Sequence, residues 1–262
     1  MNDAVIYERQ GHVGIVTLNR PDNRNSMTAD LLAGFAAAVD EARADAGARV
    51  VVVTGRGSCF SAGADFRSQI QAEGDGRSLM PHEKSFAMYT PFLSVLDLEV
   101  PVIAALNGHA VGGGFGLSLV CDVRVAHEDA KYGANFARLG LHPGLGISYL
   151  LPRLIGASRA AELLFTGRLV SGAEAERIGL VSRAVPGAEV VPVAMALADE
   201  IAQAAPAAVR MTKRSMRQSL GWDVRGAALS EAYAQAATIE TSDFREGMAA
   251  LLEKRPPRFE GR

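Results

Sequence analysis

Two short apolar runs constrain this chain more than any other feature. Arg49–Thr54 reads RVVVVT, and residues 101–106 read PVIAAL. Neither alternates apolar with polar residues, so each predicts a strand buried on both faces, as in a parallel sheet covered by helices. Each is followed by a segment rich in glycine and small residues. Helical patterns lie between them: Thr28 is a plausible N-cap for an alanine-rich helix to about Arg43, and another helix is expected across about 83–96. The runs 5–8 and 13–18 around Gln10-Gly11 predict a hairpin, and 123–126 a further strand. This strand–helix alternation argues for an α/β core.

Residues 55–66 read as a loop. Beyond Pro143 the pattern reads as helical, with helices expected over 148–155, 158–164, 172–178, 191–204, 206–219, 222–239 and 242–254. That makes the last third all helix, whose apolar faces must be covered by the core or by other subunits. The polar stretch 69–80, QIQAEGDGRSLM, is the nearest thing to a flexible insert.

The chain has 262 residues, 48% of them hydrophobic, enough to bury a sizeable core. Its formal net charge of −2 gives no pull toward nucleic acid or an anionic membrane surface. No apolar run reaches the roughly 18 residues of a membrane helix, and the N-terminus lacks the pattern of a signal peptide. Cys59 and Cys121 both sit in apolar context and read as buried free thiols, which fits a reducing cytoplasm. No Cys/His cluster has metal-ligand spacing.

The chemistry centres on AVGGGFGLSLVCD, residues 110–122. Glycine inside a helix costs about 1 kcal/mol relative to alanine, so the run needs a reason. N–H groups at a helix start lack internal partners and carry partial positive charge. Glycines let another molecule's oxygen approach them, which makes Gly112, Gly113 and Gly114 a candidate cradle for developing negative charge. The alternative is tight packing of helix on strand through small residues. A second donor could come from the loop 59–65, CFSAGAD. The spacing is that of neither a P-loop nor a dinucleotide-binding glycine motif.

FSAGAD after RVVVVTG, with NGHAVGGGFGLSLVCD about fifty residues later, resembles the crotonase superfamily, the enoyl-CoA hydratase/isomerase family. Matching stretches run nearly end to end: LNRPDNRNSM at 18–27, KYGANFARLGLHPGLG at 131–146, LPRLIGASRAAELLFTGR at 151–168, AERIGLVSRAVP at 175–186 and REGMAALLEKRPPRF at 245–259. The resemblance implies an α/β (α+β) fold: a spiral core of ββα units with two roughly perpendicular sheets over residues 1–195, and a helical trimerisation region over 196–262. It implies a homotrimer or hexamer, and an acyl-CoA thioester substrate with coenzyme A as part of the substrate and no separate cofactor. By motif position, Ala64 and Gly113 would donate the two N–H groups that hold the thioester carbonyl. Arg24, Ala62, Asp65 and Phe66 would line the adenine and pantetheine path, with Gly112 beside the cradle. Leu251 and Lys254 would touch the nucleotide end in a neighbouring subunit.

The same comparison exposes a gap. Family hydratases use two carboxylates, one activating water and one delivering a proton. Here those positions are Gly116 and Phe136. A third position, used by family isomerases and dehalogenases, is Gly144. Within 100–161 the only acidic residues are Asp122, Glu128 and Asp129; Asp122 reads as organising a helix end, the other two as part of a polar turn. Candidate replacements for proton transfer are His142, since imidazole can serve as acid or base, and Tyr89. His142 could equally order its loop by a hydrogen bond beside Pro143. His109 and Tyr132 read as packed residues, Arg138 as facing the site or a subunit contact, and Ser61 and Ser118 have no base beside them in sequence. Arg210, Lys213, Arg214 and Arg217 fall on one helical face and read as a solvated stripe. Phe66, Phe86, Met88, Phe92, Phe136 and Leu139 could form an apolar pocket or simply core. Two functions follow: an acyl-CoA-processing enzyme stabilising a thioester enolate, or a non-catalytic acyl-CoA-binding protein.

Overall fold

A computed structural model describes residues 3–64, 81–139, 141–218, 241–253 and 255–262. The stretch 69–80 and the helix expected over 222–239 lie outside the described residues. Strands β1 (Val5–Gln10) and β2 (Val13–Leu18) form the expected hairpin. β2 then pairs in parallel with β3 (Val50–Gly55), β3 with β5 (Val102–Leu106), β5 with β7 (Val123–His127), and β7 with β10 (Arg183–Val185). This six-stranded sheet has the order β1-β2-β3-β5-β7-β10. A second sheet orders β4 (Cys59–Ser61), β6 (His109–Val111), β8 (Lys131–Gly133) and β9 (Val170–Ser171).

The apolar runs are buried on both faces, as their composition requires. Val51 and Val53 join a cluster with Leu31, Phe35 and Val39 of helix α1 (Ala29–Ala44). Val50 and Val52 face the other way, with Ile103, Ala105 and Val125, onto Val190, Ala194, Ala198 and Ala202. Those four residues recur every fourth position on one stripe of a later helix, Val190–Ala202, and the alanines let it lie close to the sheet. Thr28 caps α1, its Oγ1 accepting from the Leu31 N–H at 3.2 Å.

Among the described residues, five further helices separate α1 from the Val190–Ala202 helix: α2 (Pro81–Leu93), α3 (Gly113–Val120), α4 (Ile147–Ile155), α5 (Ala157–Thr166) and, after β9, the short α6 (Gly172–Arg177). Val190–Ala202 is α7, followed by α8 (Pro206–Gln218) and α9 (Ser242–Glu253). No single described helix is long and apolar enough to cross a membrane.

Three expectations are corrected. Residues 55–66 are not simply loop, because β4 lies within them. The last third is not all helix, because β10 lies within it and completes the larger sheet, and β9 already interrupts the helical pattern beyond Pro143. Strands of two or three residues show no usable periodicity; their pairing partners define them. The basic stripe on α8 is not solvated throughout. Lys213 is 7% exposed, its Nζ 2.8 Å from Asp122 Oδ2 and donating to the Val100 carbonyl at 2.6 Å. Arg217 pairs with the other oxygen of Asp122 at 3.1 Å and donates to the Leu96 carbonyl. Asp122 also accepts the Val102 N–H at 2.8 Å. One carboxylate thus joins α8 to the start of β5. Burial lowers the pKa of Lys213, and Asp122 opposes that shift.

Candidate active site

The site is assembled by two successive parallel pairings. β3 and β5 are neighbours, so both chains leave the large sheet at the same end. Asn107 ties those ends together: the Gly55 N–H donates to its Oδ1 at 3.1 Å, and its Nδ2 donates to the Gly57 carbonyl at 2.9 Å. Gly108 lies so close to the Ser58 carbonyl that any Cβ would overlap it. β4 then pairs with β6, matching Cys59 to His109 and Ser61 to Ala110. The segments that follow, residues 62–64 and 111–113, emerge side by side although about fifty residues separate them.

Gly63 and Gly112 both require glycine. Gly63 has φ +83°, and a Cβ there would stand 2.6 Å from the Val111 carbonyl oxygen and 2.9 Å from the Gly113 nitrogen. Gly112, φ +57°, turns the chain into α3, its N–H donating to the Gly133 carbonyl at 3.0 Å. The Gly116 N–H closes the first helical bond, to Gly112. The N–H groups of Ala64 and Gly113 have no acceptor among the described residues. Gly114 packs its bare Cα on Ser61, so helix–strand packing accounts for that glycine. The two readings of the glycine run therefore divide among its members.

The segment 24–27 runs beside 62–64. The Ala62 N–H donates to the Arg24 carbonyl at 3.0 Å, the Met27 N–H donates to the Gly63 carbonyl at 2.8 Å, and Met27 bridges Ala64 in parallel. Arg24 and Ala62 are thus neighbours, Arg24 exposed and Ala62 half-buried. Sequence reading missed the residue that holds this loop. Asn25 is fully buried with φ +53°. Its Nδ2 donates to the Arg56 and Cys59 carbonyls, its Oδ1 accepts the Arg20 N–H, and its own carbonyl accepts from Ser61 Oγ. Its tolerance of left-handed backbone was the available signal. Met27 was missed too: its thioether lies over Gly113, where a Cβ would overlap the sulfur.

Each of the three positions where the resemblance implies an acid has a neighbour against it. Gly116 is covered by Leu145, which is buried; a Cβ on Gly116 would stand 3.1 Å from Leu145 Cβ and 3.3 Å from its Cδ2. Leu145 itself holds φ +56°, a conformation costly for a branched side chain. The ring of Phe136, half-buried in the 3-10 turn Asn135–Leu139, lies against Gly112. The end of the Tyr89 ring lies on Gly144, where a Cβ would overlap the hydroxyl. That hydroxyl has no hydrogen-bond partner among the described residues. His142 is exposed, its Nδ1 2.7 Å from the Pro143 carbonyl, the loop-ordering bond weighed above. With Nδ1–H donating there, a neutral ring leaves Nε2 as acceptor.

Other candidates fall elsewhere. Tyr132 is core: its hydroxyl accepts the His127 N–H and lies 3.2 Å from the Leu106 carbonyl, and burial raises its pKa. His109 Nδ1 accepts the Lys131 N–H, Arg138 donates to the Thr166 carbonyl, and Ser118 donates to Phe115 within its own helix. Phe92 is core, edge-on to Phe35, whereas Phe86 and Leu139 are exposed. Asp65, Phe66 and Lys254 lie outside the described residues, as does the Leu251 side chain. No group of three or more metal-ligating side chains occurs among the described residues.

Both thiols are free and buried. Burial pushes Cys59 up to about 11 and Cys121 up to about 12. Thiolate is the reactive form. Iodoacetamide at pH 8 should therefore leave both unmodified in the native protein and alkylate both in denaturant, read by intact mass. Rapid native labelling of either would contradict the burial.

Two sheets of mostly parallel strands linked through helices, with a glycine turn opening a buried helix, fit the crotonase fold. The family model for enoyl-CoA hydratase/isomerase matches residues 8–262. An enoyl-CoA hydratase structure from Bacillus anthracis superposes with a TM-score of 0.92 at 36% identity, covering 99% of this chain and 100% of that one. The enoyl-CoA hydratase structure from Mycobacterium tuberculosis gives 0.88 at 32% identity, covering 99% and 100%. A Thermus thermophilus relative, provisionally named an enoyl-CoA hydratase, is 38% identical over 97% of this chain and 100% of its own length. This chain belongs to the enoyl-CoA hydratase/isomerase family of the crotonase superfamily.

Proposed function

We propose that this protein is an acyl-CoA-processing enzyme that holds a thioester carbonyl between the N–H groups of Ala64 and Gly113 and stabilises the enolate or related oxyanion that forms there. The observation that carries this reading is the seating of Gly63 against the Gly112–Gly113 turn, with the N–H groups of Ala64 and Gly113 left without acceptors among the described residues. Preorganised donors of this kind are worth about 10²–10³ in rate each. Arg24, Ala62, Asp65, Phe66, Leu251 and Lys254 would hold the CoA moiety, with the region 196–262 assembling a homotrimer or hexamer in the cytoplasm. Proton handling falls to the Tyr89 hydroxyl, which has no hydrogen-bond partner among the described residues, and to His142 Nε2. The hydratase pair is absent at Gly116 and Phe136, so enoyl-CoA hydration is not the reaction assigned.

A second reading, a binder without turnover, is favoured by the apolar filling of two acid positions by Leu145 and Phe136. A panel of saturated, unsaturated and branched acyl-CoA thioesters separates the two. Turnover of one of them, lost on Gly113→Pro in a Met27→Ala background that makes room for the ring, supports the enzyme. Binding without turnover across the panel supports the binder.

The same contacts predict how hydratase chemistry could be installed. Gly116→Glu alone should not hydrate crotonyl-CoA, because Leu145 covers the position. Gly116→Glu with Phe136→Glu and Leu145→Ala should give measurable loss of the enoyl absorbance. Activity in the single variant would contradict the role given to Leu145.

A further inference from the structure

Helix α3 carries its cradle at the N-terminus, and its opposite end is closed in an unusual way. All eight of its residues are buried, so water cannot satisfy its last carbonyls. Arg124, on β7, takes that place. Its Nη1 donates to the Ser118 carbonyl at 3.2 Å and to the Cys121 carbonyl at 2.8 Å. Its Nε donates to the Leu180 carbonyl at 2.8 Å, in the turn before β10. The residue is 6% exposed. The nearby carboxylate, Asp122, spends both oxygens on Lys213, Arg217 and the Val102 N–H. Three carbonyls, and no carboxylate among the described residues, thus accept from a buried guanidinium. Burial lowers its pKa, and the nearby Asp122 carboxylate opposes that shift.

From this geometry we infer that Arg124 is a positioning residue for the oxyanion cradle. The inference rests on the cradle reading given above. The fork spans two elements, fixing the axis of α3 against the turn at Leu180 and so the aim of the Gly113 N–H. It also places a full positive charge at the end of the helix where the backbone dipole is negative. The eight-residue helix is about 12 Å long, so this charge adds to the field that favours an anion at its start. Lysine cannot reproduce the function, because one ammonium lacks the planar fork that reaches both elements.

The test uses the infrared carbonyl band of crotonyl-CoA, labelled with ¹³C at C1, bound to the full-length protein. Arg124→Lys and Arg124→Met are compared with the parent after circular dichroism confirms folding. The expected result is a downward shift of the band in the parent, a smaller one in the Lys variant and the smallest in the Met variant, with the dissociation constant of the CoA thioester changed less than about threefold. Turnover of any substrate found should fall about tenfold or more in the Met variant through kcat rather than KM. A merely structural role would lower the melting temperature and leave the band where it is. Full parental shifts in both variants, or in the Lys variant alone where the Met variant does not fold, overturn the inference while the cradle stands. No shift in the parent overturns the cradle reading, and this inference with it.

Discussion

Gly63→Ala should reduce turnover of an acyl-CoA substrate by about 10²–10³, the loss seen when one preorganised oxyanion donor is removed. Two effects combine at this position. The left-handed φ of +83° costs a residue with a Cβ about 1–2 kcal/mol. The added carbon would also stand 2.6 Å from the Val111 oxygen and 2.9 Å from the Gly113 nitrogen, both backbone atoms. Backbone cannot swing aside as a side chain can, so residues 62–64 and 111–113 must separate and the two N–H groups diverge. Gly179→Ala is the control. It has φ +79° with nothing within 4 Å of the new Cβ, so it carries the same backbone cost without the collision. Its turnover should match the parent's. Equal turnover in Gly63→Ala and Gly179→Ala would show that the seating of Gly63 is irrelevant to the reaction.

Asp122→Ala carries the largest expected effect on stability. It removes the counter-charge of Lys213, which is 7% exposed, and the acceptor of the Val102 N–H. Breaking a buried pair by deleting one partner costs about 3–5 kcal/mol, because the remaining charge stays buried. For a chain of this size that lowers the melting temperature by on the order of 10 °C. Asp122→Asn keeps the acceptor and loses the charge, so it should recover part of the loss. Lys213→Met should be milder than Asp122→Ala, since Arg217 still faces the carboxylate. A melting temperature for Asp122→Ala within about 2 °C of the parent's would show that α8 is not held by this pair.

The sequence made the main sheet legible where composition alone decides burial. RVVVVT and PVIAAL have no polar face, and both are buried on two sides. Thr28 announced the start of α1 because capping is a local interaction. The second sheet was illegible for the opposite reason. Cys59–Ser61, His109–Val111 and Lys131–Gly133 are strands only because they pair with one another across long separations. Lys213 read as solvated because its counter-charge, Asp122, lies ninety residues earlier in the chain. At the site, family motifs brought Ala64 and Gly113 to attention, and the pairing of β4 with β6 explains why they meet. What occupies the empty acid positions could not be read in advance. Leu145 reaches Gly116 through a left-handed backbone, and Tyr89 reaches Gly144 from another helix.

If the Ala64 and Gly113 N–H groups polarise a bound thioester carbonyl, the stretching frequency of that carbonyl must fall. The most direct measurement is the infrared carbonyl band of crotonyl-CoA, ¹³C-labelled at C1, bound to the parent, to Met27→Ala and to Met27→Ala with Gly113→Pro. A downward shift is expected on binding to the parent and to Met27→Ala, and its loss when proline removes the Gly113 N–H while the CoA thioester still binds. A band unshifted in the parent, or shifted equally in the proline variant, would contradict that polarisation.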